Sequence, residues 1–210
     1  MRRIALSIGI ALALAIAGFS FGSAAYVHVK AQAGQWLLHR AWAKTQSTGR
    51  PCKPWPWADT RPLARLSAPA QRVDLLVLAG AGGTLAWGPG HLDGSAAPGD
   101  IGNAVVSAHR DTHFRFLSRV ALGETLIVET ADGERIVYRV TDIDIVEAKR
   151  LALRRDSDVP TLTLVTCYPF DAIVPGGPLR YVVVAKNVVD EPPAVKNRAE
   201  RARLALTDAL

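Results

Sequence analysis

The chain opens with a charge-free apolar run, Ile4 to Val29, of 26 residues, preceded by Arg2 and Arg3. That length is enough to cross a bilayer, which takes roughly 20 apolar residues. Residues 31–47, AQAGQWLLHRAWAKTQS, lack proline and suit a short helix, with Trp36, Arg40 and Ala43 on one side. Pro51, Pro54, Pro56 and Pro62 then break any helix or central strand. They mark a linker, packed by Trp55 and Trp57, that ends near Leu66.

From about Gln71 the pattern turns to short strands. The runs are 73–79 (VDLLVLA), 82–88 (GGTLAWG), 103–109 (NAVVSAH), 124–130 (ETLIVET), 134–140 (ERIVYRV), 142–148 (DIDIVEA), 161–167 (TLTLVTC) and 179–189 (LRYVVVAKNVV). Asp132-Gly133 is a hairpin signal. One helical turn interrupts, around 113–120. Many short strands at this spacing predict an all-β, closed or nearly closed barrel. The expected organisation is an anchor over 1–29, a helix and Pro/Trp-rich linker over 30–69, a β-barrel over 70–189 and a polar tail over 190–210.

Charge sharpens this picture. The formal net charge is +6, but residues 66–189 hold 12 Lys/Arg against 14 Asp/Glu. The excess lies in the stretch after the apolar run, which suits lipid headgroups and argues against a nucleic-acid partner. The first 29 residues read better as an uncleaved signal anchor than as a cleaved signal peptide. The apolar run exceeds the usual signal core of roughly 7–15 residues, although Ser23-Ala24-Ala25 offers small residues for cleavage. Lys30, Arg40 and Lys44 follow the run closely and weaken the positive-inside bias. Either reading places the remainder outside the cytoplasm.

The candidate chemistry is sparse. Cys52 and Cys167 are the two cysteines. In an exported domain they could form a disulfide, and the chain would then be a non-catalytic secreted binding module. The alternative is a free, reactive Cys167. It stands at the end of a β run just before Tyr168-Pro169, and such a thiol needs a nearby cation or base to become a nucleophile. His109, which also ends a strand, is the best base; His113 is weaker, in the helical turn. Arg180 opens the strand after a Pro-Gly-Gly-Pro turn and could donate to a developing oxyanion. There is no zinc-finger spacing and no HExxH.

Together these segments resemble the sortase family of cysteine transpeptidases. TLTLVTC resembles its signature strand, a Thr-Leu-x-Thr-Cys run ending in the nucleophile. GNAVVSAHRDTHFRFL resembles its histidine strand, with Ala108 where Gly is usual before the His-Arg pair. LRYVVVA resembles its arginine strand, and the order His, Cys, Arg fits. The Pro- and Trp-rich stem is more like that of the Gram-negative, marine proteobacterial members. The resemblance implies a sortase-like eight-stranded β-barrel with one or two short helices behind a transmembrane helix. It also implies Cys167 as nucleophile, His109 as acid and base, and Arg180 as oxyanion or substrate donor. The implied partners are a protein carrying a sorting signal and an amine acceptor. Asp111 is not promoted to a triad. Some members bind calcium through acidic loops. Here Asp142, Asp144, Glu147, Asp156 and Asp158 are interleaved with Lys149, Arg150, Arg154 and Arg155, so no cofactor is expected. The L,D-transpeptidases are a rival exported Cys/His class. They expect Gly directly before the cysteine, where this chain has Thr166.

Overall fold

The alternating runs close into a barrel. A computed structural model describes residues 2–150, 157–174 and 176–188, with side chains from residue 14 onward except Ala24. Helix α1 covers Arg2–Thr48. The strands are β1 Pro62–Ala68, β2 Val73–Ala79, β3 Gly90–His91, β4 Gly102–Ser107, β5 Thr125–Thr130, β6 Arg135–Glu147, β7 Pro160–Tyr168 and β8 Leu179–Asn187. They are ordered β1-β2-β3-β4-β7-β8-β6-β5 around a closed barrel. The β2–β3 and β4–β7 pairs are parallel and the others antiparallel.

Period-two alternation sends one set of side chains inward. Leu66, Ala68, Val106, Leu126, Val128, Tyr138, Leu162, Leu164, Val183 and Ala185 meet in the barrel core. Phe114, Phe116 and Leu117, from the helical turn over 115–119 and its lead-in, plug it. The phenol of Tyr138 survives there because its hydroxyl accepts the Gly99 N–H at 3.1 Å. Burial pushes its pKa up to about 12.

Three elements depart from the sequence reading. The run 82–88 is a 3-10 turn at Gly83–Ala86 followed by the two-residue β3. Gly90 explains the tight passage, since a Cβ there would lie 2.3 Å from the Gly80 carbonyl. The runs 134–140 and 142–148 are one strand, β6, bent by a register shift between Val140 and Asp142. Strand β1 lies in the stretch read as linker. Its proline, Pro62, stands at the strand start, where a missing N–H is tolerated.

The predicted helix over 31–47 is the second half of α1, with Trp36, Arg40 and Ala43 together on its exposed side. Leu38 and Trp42 pack on Leu76 and Leu78 of β2. Gly34 lets the helix meet Trp87, because a Cβ there would sit 2.1 Å from the indole ring. Gln35 Nε2 donates to the Trp87 carbonyl at 2.7 Å, and Trp55 meets the Trp87 ring edge-on at 5.3 Å. Trp36 points outward instead, 60% exposed, with the Arg40 guanidinium 5.5 Å over its ring. Among the described residues no helix is long and apolar enough to cross a membrane. Residues 4–13 of the expected anchor lie outside the described side chains, and 190–210 lie outside the described residues.

Trp42 is 4% exposed and fastens α1 to β2. Trp42→Ala is expected to cost about 3–5 kcal/mol, as buried aromatic truncations do. Urea unfolding of the full chain in detergent checks this, and an unchanged midpoint would refute the docking role.

Candidate active site

The site is built by one ladder, β4–β7–β8, and by which face each residue takes. Leu162 and Leu164 of β7, Ala104 and Val106 of β4, and Val183 and Ala185 of β8 point into the barrel. Their neighbours face outward, and Val105, Val165 and Val182 form a separate buried strip there. Leu92, Val146 and Val184 pack against that strip. Cys167 lies two residues beyond Val165 and Arg180 two before Val182, so alternation puts both on the outer face at one end of the strip. Ala108 turns into the core, so His109 takes the outer face as well.

Register then brings the three together. In the parallel pair Ser107 is level with Val165, and the Ala108 N–H continues the ladder to the Val165 carbonyl at 3.3 Å. Carried two residues on, this register sets His109 level with Cys167. Across the antiparallel pair Cys167 is directly opposite Arg180. Cys167 and Arg180 thus stand opposite one another near their strand ends, while His109, expected to end its strand, follows the last residue of β4, Ser107, by two positions.

Each end is braced. Thr166, 2% exposed, donates from Oγ1 to the Ala108 carbonyl at 2.7 Å, tying the residue before Cys167 to the residue before His109. At the other end of the pair Thr163 Oγ1 donates to Asn103 Oδ1 at 2.8 Å. Arg180 Nη1 donates to the carbonyls of Gly177 and Leu179 at 2.8 and 2.9 Å, so its own turn holds the guanidinium. Tyr168, Phe170 and Tyr181 close the barrel end beneath, with Phe170 edge-on to Tyr181 at 5.1 Å. Burial, then Tyr168, raises the Tyr181 pKa. Cys167 is half-buried and His109 exposed. Among the described residues no hydrogen bond joins them, and such bonds often tighten only once substrate arrives.

Other candidates fall elsewhere. Both cysteines are free thiols. The Cys52 N–H donates to Thr45 Oγ1 near the end of α1, on the β1–β2 side. In the barrel order β7 is four strands from β1 either way, so the Cys52–Cys167 staple is not formed. His91 is buried against the Ala96 carbonyl at 2.7 Å and Ser95 Oγ at 2.9 Å, a structural role. Asp111 is exposed and makes no ion pair. Glu147 pairs with Arg150 at 3.3 Å, and Asp156 lies outside the described residues. Among the described residues no group of three or more His, Cys, Asp or Glu could hold a metal ion.

The sequence reading passed over Arg110. It is 6% exposed and donates from Nη2 to the carbonyls of Ala172 and Val174 at 2.8 and 2.7 Å. Its place directly after His109 was visible, but nothing in the sequence separates a buried arginine from a surface one.

The sortase domain model matches residues 66–188, which include all three strand ends. This chain belongs to the sortase family. It is similar to sortase D of Bacillus subtilis (strain 168), 34% identical over 104 residues, covering 48% of this chain and 50% of the relative. Sortase A from Corynebacterium diphtheriae superposes with a TM-score of 0.57 at 28% identity, covering 65% of each chain. The Clostridium perfringens sortase D5 transpeptidase gives a TM-score of 0.61 over 75% of this chain and 99% of that one, at 19% identity, a likeness of fold alone. The chain thus spans half the length of the B. subtilis relative. Where the sortase pattern has Gly before the histidine, Ala108 puts a methyl into the core at 6% exposure, and the strand geometry accepts it.

His113 is half-buried four residues beyond His109. Burial holds its imidazole below the ordinary range, and a charge on His109 pushes the same way. The folded state therefore binds fewer protons here than the unfolded state. This contribution is full above the unfolded value of about 6.5 and is lost as pH falls through that value toward the depressed folded one. His113→Asn should flatten the fall in urea stability between about pH 7 and 5. A variant curve parallel to that of the native chain would contradict this.

Proposed function

We propose that this sortase is an extracytoplasmic cysteine transpeptidase that cleaves a sorting signal in a partner protein and transfers the acyl portion to an amine. The observation carrying this reading is the register that sets His109, Cys167 and Arg180 at one edge of the β4–β7–β8 ladder, above an apolar strip.

The Cys167 thiolate attacks the scissile carbonyl carbon. The C–N bond breaks, a thioester forms, and His109, holding a proton, gives it to the departing amine. Neutral His109 then takes a proton from the incoming amine as its nitrogen attacks the thioester, and Cys167 leaves as thiolate. Water in place of the amine gives hydrolysis. Arg180 lies opposite Cys167 and is held by backbone carbonyls through Nη1. Its remaining donors can meet the oxyanion or the substrate chain, where fixed donors cost no reorganisation. Atoms and charges balance with these three side chains, so we propose no cofactor and no calcium requirement.

The same proposal places the chain in the cytoplasmic (inner) membrane as a single-pass protein, with the barrel on the periplasmic side. The support is the charge-free run Ile4–Val29, which as helix reaches about 39 Å, against a hydrocarbon core of about 30 Å. Barrel contacts begin at Gly34, little more than one turn after Val29. The barrel then sits close against the membrane surface, where the basic segment following the run can meet anionic headgroups.

Cys167→Ala is expected to abolish turnover, and His109→Ala and Arg180→Ala to lower it by about 100-fold or more, the range of lost acid–base or oxyanion donors. The deciding experiment traps the thioester partner in cells and sequences it. Its capture by the native chain and loss with Cys167→Ala supports the reading, whereas full activity of Cys167→Ala sinks it. The anchor is checked separately: the full chain should resist carbonate extraction and its barrel should be cut by protease added to spheroplasts. Release by carbonate would overturn the placement.

A further inference from the structure

Arg110 is a buried cation without a carboxylate. At 6% exposure it makes no ion pair among the described residues, and its Nη1 is buried without a hydrogen-bond partner. Burying a guanidinium in this way is costly, so the position needs a reason. The one visible use of the group is the fork from Nη2 to the Ala172 and Val174 carbonyls. Those carbonyls belong to the connection that leaves β7 after Cys167 and Tyr168 and returns as β8 at Leu179 and Arg180.

The ends of that connection are held by Phe170 on the barrel core, by Arg180 Nη1 at the Gly177 carbonyl and by the Ala148 N–H at the Pro178 carbonyl. Its middle has little besides Arg110: among the described residues its one internal backbone bond, Ala172 N–H to the Pro169 carbonyl, is 3.5 Å long. Ile173 and Val174 are 100% and 75% exposed, so the tip is not held by apolar burial. Carbonyls two residues apart, both turned to one guanidinium, leave Ile173 facing outward between them. The residue holding them follows His109 directly, and the His109 carbonyl is itself fixed by the Phe114 N–H at 3.0 Å.

We propose that Arg110 is a positioning residue: it locks the β7–β8 connection onto the end of β4, so that Cys167 and Arg180 keep one spacing to His109. The lock stands on the geometry; its value for catalysis rests on the transpeptidase reading above. The guanidinium acts from behind the site and touches no reacting atom. A Lys there keeps the charge and can donate to two carbonyls from one nitrogen, but its shorter, freely rotating ammonium lacks the fixed plane that aims Nη2 at both.

The test uses the full chain in detergent micelles, with Cys52→Ser so that one thiol reports. Hydrogen exchange is followed for the native chain, Arg110→Gln and Arg110→Lys. The expected result is exchange about tenfold faster at amides 171–174 in Arg110→Gln, with the strand amides of β4, β7 and β8 within about twofold, as local opening requires. Arg110→Lys should show a smaller rise at the same amides. Cys167 alkylation by iodoacetamide, read from about pH 5 to 9, should shift its profile in Arg110→Gln and recover partly in Arg110→Lys. Connection amides unchanged in both variants, or exchange raised uniformly through the barrel, would overturn the proposal. So would failure of both variants to fold, which would make Arg110 a core-packing group. If the trapped peptide is turned over equally by Arg110→Gln and the native chain, the proposal fails and the transpeptidase reading stands. If the native chain proves inert while the exchange and alkylation changes occur, that reading fails and the lock stands.

Discussion

The parallel pairing of β4 with β7 is the constraint on which the rest of the structure depends. Parallel neighbours cannot be joined by a tight turn. The chain therefore leaves β4 at Ser107, builds β5 and β6 on the far side of the barrel, and returns as β7 at Pro160. That detour is what lets a histidine and a cysteine 58 residues apart in sequence arrive at strand ends on the same edge. A hairpin would have sent the two ends in opposite directions. The pairing is sealed by polar side chains near both ends, Asn103 with Thr163 and the Ala108 carbonyl with Thr166, in places where slippage by one residue would strand a buried group.

The same ladder serves two purposes by alternation. Its inner residues fill the barrel, and its outer valines form the strip that ends at Cys167. A shift of one residue in β7 would turn Cys167 into the core and expose Leu164. Burial of Leu162 and Leu164 at 1% and 0% exposure therefore also fixes the thiol's direction. Core packing and site geometry are one constraint here. This explains why a functional residue can sit at the end of an otherwise apolar strand without any loop of its own.

Strands with clean alternation or strong β content were legible in the sequence. Runs such as 73–79, 124–130 and 161–167 need only local pattern to form, and β2, β5 and β7 stand where those runs lie. The misreadings share a cause, which is that tertiary contact overrode local pattern. Residues 82–88 look like a strand, yet Gly83–Ala86 form a 3-10 turn. Trp87 from this segment is used to receive α1 at Gly34, and the hydrogen bond from Gln35 holds its carbonyl. Which face of the helix turns inward is likewise decided by tertiary contact. Trp36 and Trp42 are equally apolar in sequence, and only the location of β2 makes Trp42 the buried one. Among the site residues, His109, Cys167 and Arg180 could be named because each lies at or just beyond the end of a strand-forming run. Arg110 could not, since its partners are backbone carbonyls of Ala172 and Val174, which carry no sequence signal.

Two thiols in one chain pose the question of which one reacts, and position answers it better than count. Cys52 lies in the turn after α1, its N–H held by Thr45 and its thiol beside the Arg50 carbonyl at 3.3 Å. Cys167 instead faces a guanidinium across β8 and is level with an imidazole across β4. Both neighbours are nitrogen groups of the kind that activate a cysteine nucleophile. The apolar strip beside them limits water on one side and leaves the other open to a chain lying along the ladder. A peptide there would meet Cys167, His109 and Arg180, in the roles proposed for them, from one direction. Acyl transfer requires that arrangement, and a disulfide staple would destroy it.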